Sequence, residues 1–274
     1  MKTAGNSLHV ERRAAAQDVR GASDLPIVML HGWGMNLRVF DLLRADLHTH
    51  ETWAVDLPGH GCSPWWPEAV SFEVQQQAVL EVLPPRCVLV GWSFGAKLAL
   101  ALAATEPQRV AALVLLAASP KFAQSEDWPQ GMDRQALRAF DAVLKQDWQR
   151  TLQDFIALQL RGSRGAEQSQ QVIEAALAAQ GAPRHEALLA GMALLDSVDL
   201  RSLVPRIAQP TLLVAGRNDR VTPLAAAQWL EQALPDARLV EVPRAGHAPM
   251  VSHHAEVAAA IHSFLAELSQ GVLA

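Results

Sequence analysis

Arg86-Cys87-Val88-Leu89-Val90-Gly91-Trp92-Ser93-Phe94-Gly95 decides the reading of this chain: an apolar run stops at a serine held between two glycines and passes at once into a helix-forming segment. The pattern reads as a buried strand ending in a strained turn, with Ser93 at the apex and its Oγ exposed. Glycines are required where strand and helix run too close for a Cβ. A plain strand-turn-helix with a solvent serine has the same local pattern, so the surroundings must decide.

Immediately downstream, Phe94 to Glu106 is a helix stopped by Pro107, with Ala96, Ala99, Ala101, Ala103 and Ala104 allowing close packing on a sheet. Upstream, Leu25 to Leu30 is a short unbroken apolar run, as expected of a strand buried on both faces, and it ends in His31-Gly32-Trp33-Gly34. A backbone N–H on such a loop, next to the serine strand, is where an oxyanion donor belongs; Trp33 is the candidate, and a simple tight turn is the alternative. Thr52 to Leu57 is a further strand, closed by Pro58 to Pro64, where Asp56 and His60 read as loop-shaping groups. Phe72 to Leu83 has amphipathic helical spacing, Val110 to Ala118 is a buried strand, and residues 7 to 13 alternate weakly as an edge strand before a polar link. Strand alternating with helix specifies a mostly parallel sheet with right-handed crossovers.

From Lys121 to about Asp199 strand-like runs disappear. Leu137, Phe140, Leu144, Trp148, Leu152, Phe155 and Gln159 recur at spacings of three and four and are expected on one helix face, with further helices over Glu167 to Gln180 and Pro183 to Leu195. Residues 121–199 are therefore expected to be a helical cap inserted between two parts of one core, 1–120 and 200–274. On spacing alone, Phe155 reads more readily as core than as a substrate contact. The strand pattern resumes at Pro210 to Gly216, leading into Asp219, and again at Ala237 to Val242, delivering Gly246-His247-Ala248-Pro249 ahead of a terminal helix.

Serine, acid and histidine, each on the loop after a different strand, stand in the chain order of the α/β-hydrolase triad: Ser93, Asp219, His247. The chemistry needs all three, because a serine hydroxyl is a poor nucleophile until histidine accepts its proton and a carboxylate orients the imidazole. Asp196 and Asp199 also lie between Ser93 and His247, but at the cap's exit and not directly after an apolar strand. The second oxyanion donor is expected to be the N–H of Phe94, beside that of Trp33. His48, His50, His253 and His254 read as loop or helix-start residues, the last two exposed, and no metal or cofactor site is expected. The chain has no P-loop or dinucleotide fingerprint.

Of 274 residues, 50% are hydrophobic, ample for one large α/β domain, and the net charge of −5 with scattered Lys and Arg argues against a nucleic-acid binder. Two cysteines without metal spacing, no apolar leader in Met1 to Ser7 and no run of ~18 apolar residues point to a soluble, cytoplasmic protein without membrane contact, expected to be a monomer.

With these residues in place, the chain from about residue 25 onward resembles the pimeloyl-acyl carrier protein methyl ester esterases of biotin synthesis. The resemblance is carried by His31-Gly32-Trp33-Gly34-Met35-Asn36, Asp56-Leu57-Pro58-Gly59, Gly91 to Gly95, Asp127-Trp128-Pro129, Phe155-Ile156-Ala157-Leu158-Gln159, Val198-Asp199-Leu200-Arg201 and Gly246 to Pro249. It implies hydrolysis of the methyl ester on a pimeloyl chain held by acyl carrier protein, with no cofactor. It also implies a substrate site formed by Trp33, Ser93, Phe94, Phe155, Ile156, Ala157, Leu158, Gln159 and His247. Family members hold the acidic carrier through cap arginines; Arg150 matches, but Asp154 stands where a second basic residue is expected, leaving Arg161 and Arg164, or Arg134, Arg138 and Lys145, to compensate. The same triad would serve a general carboxylesterase, a carbon-carbon bond hydrolase or a perhydrolase, and the scaffold alone would serve a ligand-binding receptor.

Overall fold

A computed structural model describes residues 7–16 and 25–271; the leader reading of residues 1–6 and most of the polar link lie outside them. Among the described residues seven strands form one sheet: β1 (Val10–Arg13), β2 (Ile27–Leu30), β3 (Thr52–Val55), β4 (Cys87–Trp92), β5 (Val110–Leu116), β6 (Thr211–Gly216) and β7 (Ala237–Val242), in the order β1-β3-β2-β4-β5-β6-β7. Only β1 runs antiparallel to its neighbour; every other pairing is parallel. This is the mostly parallel α/β sheet expected from the strand–helix alternation. The edge strand is shorter than the weak alternation over 7 to 13 implied.

The serine strand β4 lies between β2 and β5, every residue of it buried. Placing both neighbours in parallel register aligns Gly91 with Leu30 on one side and Leu115 on the other, so the chain ends of β2, β4, β5 and β6 converge on one rim. That rim is where α/β sheets hold their sites. The core helices are α1 (Asp41–Asp46), α2 (Phe72–Val82) and α3 (Phe94–Thr105) before the helical excursion, and α8 (Leu224–Ala233), α9 (Pro249–Ser252) and α10 (His254–Gly271) after it. α3 packs against β4 with Ala96, Ala99, Ala101 and Ala103 at most 2% exposed, so small side chains set the close helix–sheet distance.

Between β5 and β6 the chain runs through α4 (Arg134–Gln146), α5 (Trp148–Leu160), α6 (Ala166–Gln180) and α7 (His185–Ser197). The expectation of one continuous helix face from Leu137 to Gln159 is corrected here. Asp147 leaves helical geometry at φ −147°, ends α4 and caps α5 by accepting the Arg150 N–H. Aspartate is a favoured N-cap residue, and that local preference outweighs the continuing apolar spacing. The two ends of the excursion meet at an antiparallel bridge between Lys121 and Asp199, where the Leu200 N–H also donates to the Pro120 carbonyl. No helix among the described residues is long and apolar enough to cross a membrane.

Candidate active site

Ser93 occupies the turn between β4 and α3 with φ 54°, a left-handed conformation that is strained for a residue with a side chain. The flanking glycines are dictated by contact. A Cβ on Gly91 would lie 2.5 Å from the Ala96 Cα, and one on Gly95 would lie 2.2 Å from the Leu30 carbonyl oxygen. The turn therefore closes only with glycine at both positions, and it lifts Ser93 out of the sheet.

His247 reaches this serine from the loop after β7: Nε2 stands 2.9 Å from Ser93 Oγ, and Nδ1 stands 2.8 Å from Asp219 Oδ2. Donation from Nδ1 to the carboxylate leaves Nε2 free to accept the serine proton. The Asp219 side chain is fully buried, and its other oxygen accepts the N–H groups of Val221 and Thr222, both at 2.8 Å, so the carboxylate is locked toward the imidazole. The rival carboxylates are engaged elsewhere: Asp196 pairs with Arg134, and Asp199 with Lys121 and Arg201.

The loop after β2 runs directly beside the serine, since a Cβ on Gly32 would come within 3.2 Å of the Ser93 Cβ. Phe94 opens α3, so its N–H has no partner within the helix. Trp33 is anchored by its indole, whose Nε1 donates to the Leu188 carbonyl of α7 at 2.9 Å. Two buried histidines brace this corner. His31 accepts the Leu57 N–H at Nε2 (3.0 Å), and His60 meets the Gly34 N–H at Nε2 (3.3 Å). Burial lowers His31 to about 4, while burial and then the adjacent His31 lower His60 to about 3, so both are neutral acceptors at neutral pH. Asp56 accepts from Leu37 N, Cys62 N and Gln180 Nε2, the loop-shaping role expected of it.

An apolar cavity of about 110 Å³ lies between the core and the helical excursion, walled by Trp33, Phe140, Phe155 and Leu158 together with Phe122 and Leu195. Phe122 and Leu195 also line a second, much smaller space, whose wall includes Ser93 and Lys97. Phe155 meets Trp33 edge-on with ring centroids 5.1 Å apart. Gln159 is 1% exposed with neither amide atom hydrogen-bonded, and its main-chain carbonyl accepts the His247 N–H at 2.7 Å.

Of the residues implied by the resemblance, Trp33, Phe155 and Leu158 line this cavity and Ser93 lines the smaller space beside it, while Phe94, Gln159 and His247 are not in its wall and two residues of α5 point elsewhere. Ala157 is exposed, and Ile156 faces a separate groove beside Trp148 and Leu177. The reason is helical phase: residues 155, 158 and 159 share one face of α5, and 156 and 157 turn away from it. Phe122 and Met132, from the stretch before α4, and Met192 and Leu195, from α7, went unseen in the sequence because the fold alone brings these distant segments together. Lys97 was also missed: four residues after Ser93, it is 2% exposed and donates to the carbonyls of Pro120 (2.9 Å) and Val198 (3.0 Å).

Arg150, Arg161 and Arg164 are all exposed; Arg150 pairs with Asp154 at 3.9 Å and Arg164 with Glu256 at 3.7 Å. His253, expected to be exposed, is 4% exposed beside Ser252, and His50 is buried against His262. His9, Asp56 and Cys62 bring ligand atoms within 4.8 Å of one another, but Asp56 is already occupied by the three donors named above.

Residues 26–253 match the family model described as alpha/beta hydrolase fold. The chain belongs to the α/β-hydrolase family. It is 40% identical over 236 residues to the pimeloyl-[acyl-carrier protein] methyl ester esterase of Klebsiella pneumoniae, covering 86% of this chain and 91% of that one. It is 37% identical to the protein of the same description from Nitrosomonas europaea, covering 90% and 94%. Within the fold, this α/β-hydrolase thus belongs with an esterase family and is an enzyme of the ester-hydrolase class. The esterase EaEST from Exiguobacterium antarcticum superposes with a TM-score of 0.84 over 94% of this chain and 95% of that one, at 24% identity. A bromoperoxidase from Bacillus anthracis superposes equally well, at 0.84 and 19% identity over the same shares, so the fold by itself does not choose the reaction.

Proposed function

We propose that this enzyme hydrolyses the methyl ester of a pimeloyl chain carried on acyl carrier protein, releasing methanol, with Ser93, His247 and Asp219 as the catalytic triad and residues 121–199 as the substrate-selecting cap. The observation that carries the reading is the unbroken chain Asp219 Oδ2, His247, Ser93 Oγ, at 2.8 and 2.9 Å, with Ser93 on a small space that shares the walls Phe122 and Leu195 with an apolar cavity. Ser93 Oγ attacks the ester carbonyl as its proton passes to His247 Nε2, and Asp219 stabilises the imidazolium. The oxyanion is held by the N–H groups of Trp33 and Phe94. Collapse expels the methoxy group with the proton from His247, and a water, deprotonated by the same imidazole, cleaves the acyl-enzyme.

An apolar slot edged by Trp33 and Phe155 suits a methylene chain, and the unpaired amide of Gln159 supplies polar capacity that a carbonyl or ester oxygen would satisfy. The names of the relatives supply the specific ester and its carrier. Docking of an acidic carrier on Arg150, Arg161 and Arg164 belongs to this reading. Arg150→Glu is expected to weaken hydrolysis of the carrier-bound ester far more than that of a short free ester, and equal loss on both removes the docking role. A cytoplasmic, monomeric enzyme completes the proposal, and sedimentation at working concentration tests the monomer.

The decisive experiment is growth without biotin of an auxotroph lacking this esterase, complemented by the wild-type chain or by Ser93→Ala. Growth restored only by wild type is the expected result; growth with both, or with neither while p-nitrophenyl butyrate is hydrolysed, overturns the assigned substrate.

A further inference from the structure

The base of the triad is fastened to the helical excursion as well as to the core. The His247 N–H donates to the carbonyl of Gln159, in the last turn of α5, at 2.7 Å. The residues that follow make three more bonds to the same two core loops. Gly246 N–H donates to Ser163 Oγ at 2.8 Å, Arg164 N–H donates to the Arg244 carbonyl at 2.8 Å, and Asn218 Nδ2 donates to the Gly162 carbonyl at 2.8 Å. The six-residue segment from Gln159 to Arg164 therefore grips the loop bearing Asp219 and the loop bearing His247 at once.

The contact is too close to be incidental. A Cβ on Gly246 would lie 2.5 Å from the Gln159 carbonyl oxygen and 2.9 Å from Ser163 Oγ, so the residue before the base must be glycine for the segment to seat. Gly162 turns the chain at φ +82°, with the Asn218 side chain 3.3 Å from where its Cβ would be. On the other side of the base, the Trp92 indole donates to the His247 carbonyl at 2.8 Å. The peptide groups flanking His247 are thus fixed from opposite directions, one by the nucleophile strand and one by the helical excursion.

We propose that Gln159–Arg164 is a clasp that sets the position of the base and acid, with Ser163 and Asn218 as its positioning side chains, so that the seating of the helical excursion controls turnover and not only substrate affinity. The inference rests on the Ser93–His247–Asp219 reading above. His247 spans two short hydrogen bonds, and proton transfer requires both ring nitrogens to stay within hydrogen-bond reach of their partners. A displacement of about 1 Å transmitted through the Gly246 and His247 peptides is enough to cost up to about a hundredfold in rate. Ser163 and Asn218 touch neither the reacting atoms nor the cavity, so a loss confined to kcat distinguishes positioning from binding.

The test compares wild type with Ser163→Ala, Asn218→Ala and Ser163→Thr, by kcat and KM on p-nitrophenyl butyrate and by solvent exchange of the His247 Nδ1 proton in NMR spectra. Expected is a kcat about tenfold lower in each alanine variant and about a hundredfold lower in the double variant, with KM within about threefold of wild type. The Nδ1 proton should exchange at least about tenfold faster, and Ser163→Thr, which keeps the hydroxyl, should restore both readouts. Wild-type kcat and wild-type proton exchange in folded Ser163→Ala and Asn218→Ala overturn the clasp, as does a loss confined to KM. If wild type itself turns over no ester, the esterase reading fails, and the proton exchange still decides the clasp. Asn218 is exposed, so its truncation serves should Ser163→Ala fail to fold.

Discussion

Acidification tests the pair of neutral histidines that braces the His31–Gly34 loop beside Ser93. His31 Nδ1 donates to the Gly32 carbonyl (2.8 Å) while Nε2 accepts from Leu57; His60 Nδ1 donates to the Pro58 carbonyl (2.9 Å) while Nε2 faces the Gly34 N–H. Protonating either ring would turn Nε2 into a donor pointing at another N–H, inside a site where the two rings lie 5.1 Å apart. Burial therefore holds them at about 4 and about 3, from an ordinary value of 6.5. Because the folded values are depressed, the unfolded chain takes up protons first as pH falls. The stability held by these two rings is intact above about pH 6.5 and is lost through the window below it, down to the folded values. Between about pH 7.5 and pH 5 each histidine removes about 2 kcal/mol, so the pair removes about 4 kcal/mol, a large share of the 5–15 kcal/mol typical of a folded domain. His50 and His253, also lowered by burial, act in the same direction and make this figure a floor. Urea unfolding at a series of pH values measures the loss. His60→Gln, which keeps an acceptor for Gly34, should remove about 2 kcal/mol of the pH dependence. A change below about 1 kcal/mol over the window, or an unaltered slope in His60→Gln, refutes the neutral-pair account.

Ser93→Ala should abolish burst and turnover on p-nitrophenyl esters with circular dichroism unchanged, and Asp219→Asn should lower kcat by about four orders of magnitude, as expected when the imidazole loses its orienting carboxylate. Lys97 is lowered to about 7 by burial, against the pull of Asp199, so the unfolded chain holds a proton that the folded one sheds above that pH. Stability should accordingly rise by about 2 kcal/mol between about pH 7 and pH 9, and Lys97→Met should flatten that limb in thermal or urea unfolding. Phe155→Ala removes the ring packed on Trp33 and Phe140 and should raise KM about tenfold for a hexanoate or longer acyl ester while leaving that for acetate within about twofold, read by steady-state kinetics across chain lengths.

What the sequence revealed follows from how locally each feature is determined. Gly91 and Gly95 are legible because the close approach of β4, α3 and the end of β2 admits no side chain there, and the order Ser93, Asp219, His247 is legible because each sits at the end of an apolar run. The five residues Phe155 to Gln159 were carried to the site as a block, but a helix turns about 100° per residue and cannot present five neighbours to one cavity. Asp147 was hidden because apolar spacing continues across it, and only its extended backbone divides α4 from α5. Lys97, Phe122 and Met192 were illegible for a different reason: their roles depend on which segments the fold brings together, and nothing in their own neighbourhoods marks them.

The attachments of the helical excursion bear on how specificity is divided from chemistry. At its neck, Lys97 binds the carbonyls on either side of the entry and exit. At one flank, Asn36 donates to the Ala176 carbonyl (3.0 Å), Arg38 to Gln180 (2.8 Å) and Gln180 to Asp56 (2.6 Å), tying α6 to the loops after β2 and β3. At the other, the Gln159–Arg164 segment holds the loops of the acid and the base. The helical excursion whose α4, α5 and α7 wall the cavity is thus fastened both to the loops beside Ser93 and to those bearing Asp219 and His247. A substitution that reshapes the cavity by moving α5 must also move the carbonyl that holds His247, whereas one confined to Phe140 or Met192 need not. Chain-length changes made on α5 should therefore couple with Ser163→Ala in double-mutant cycles, and those made on α4 or α7 should be additive with it, because coupling follows shared contacts and not proximity to the ester.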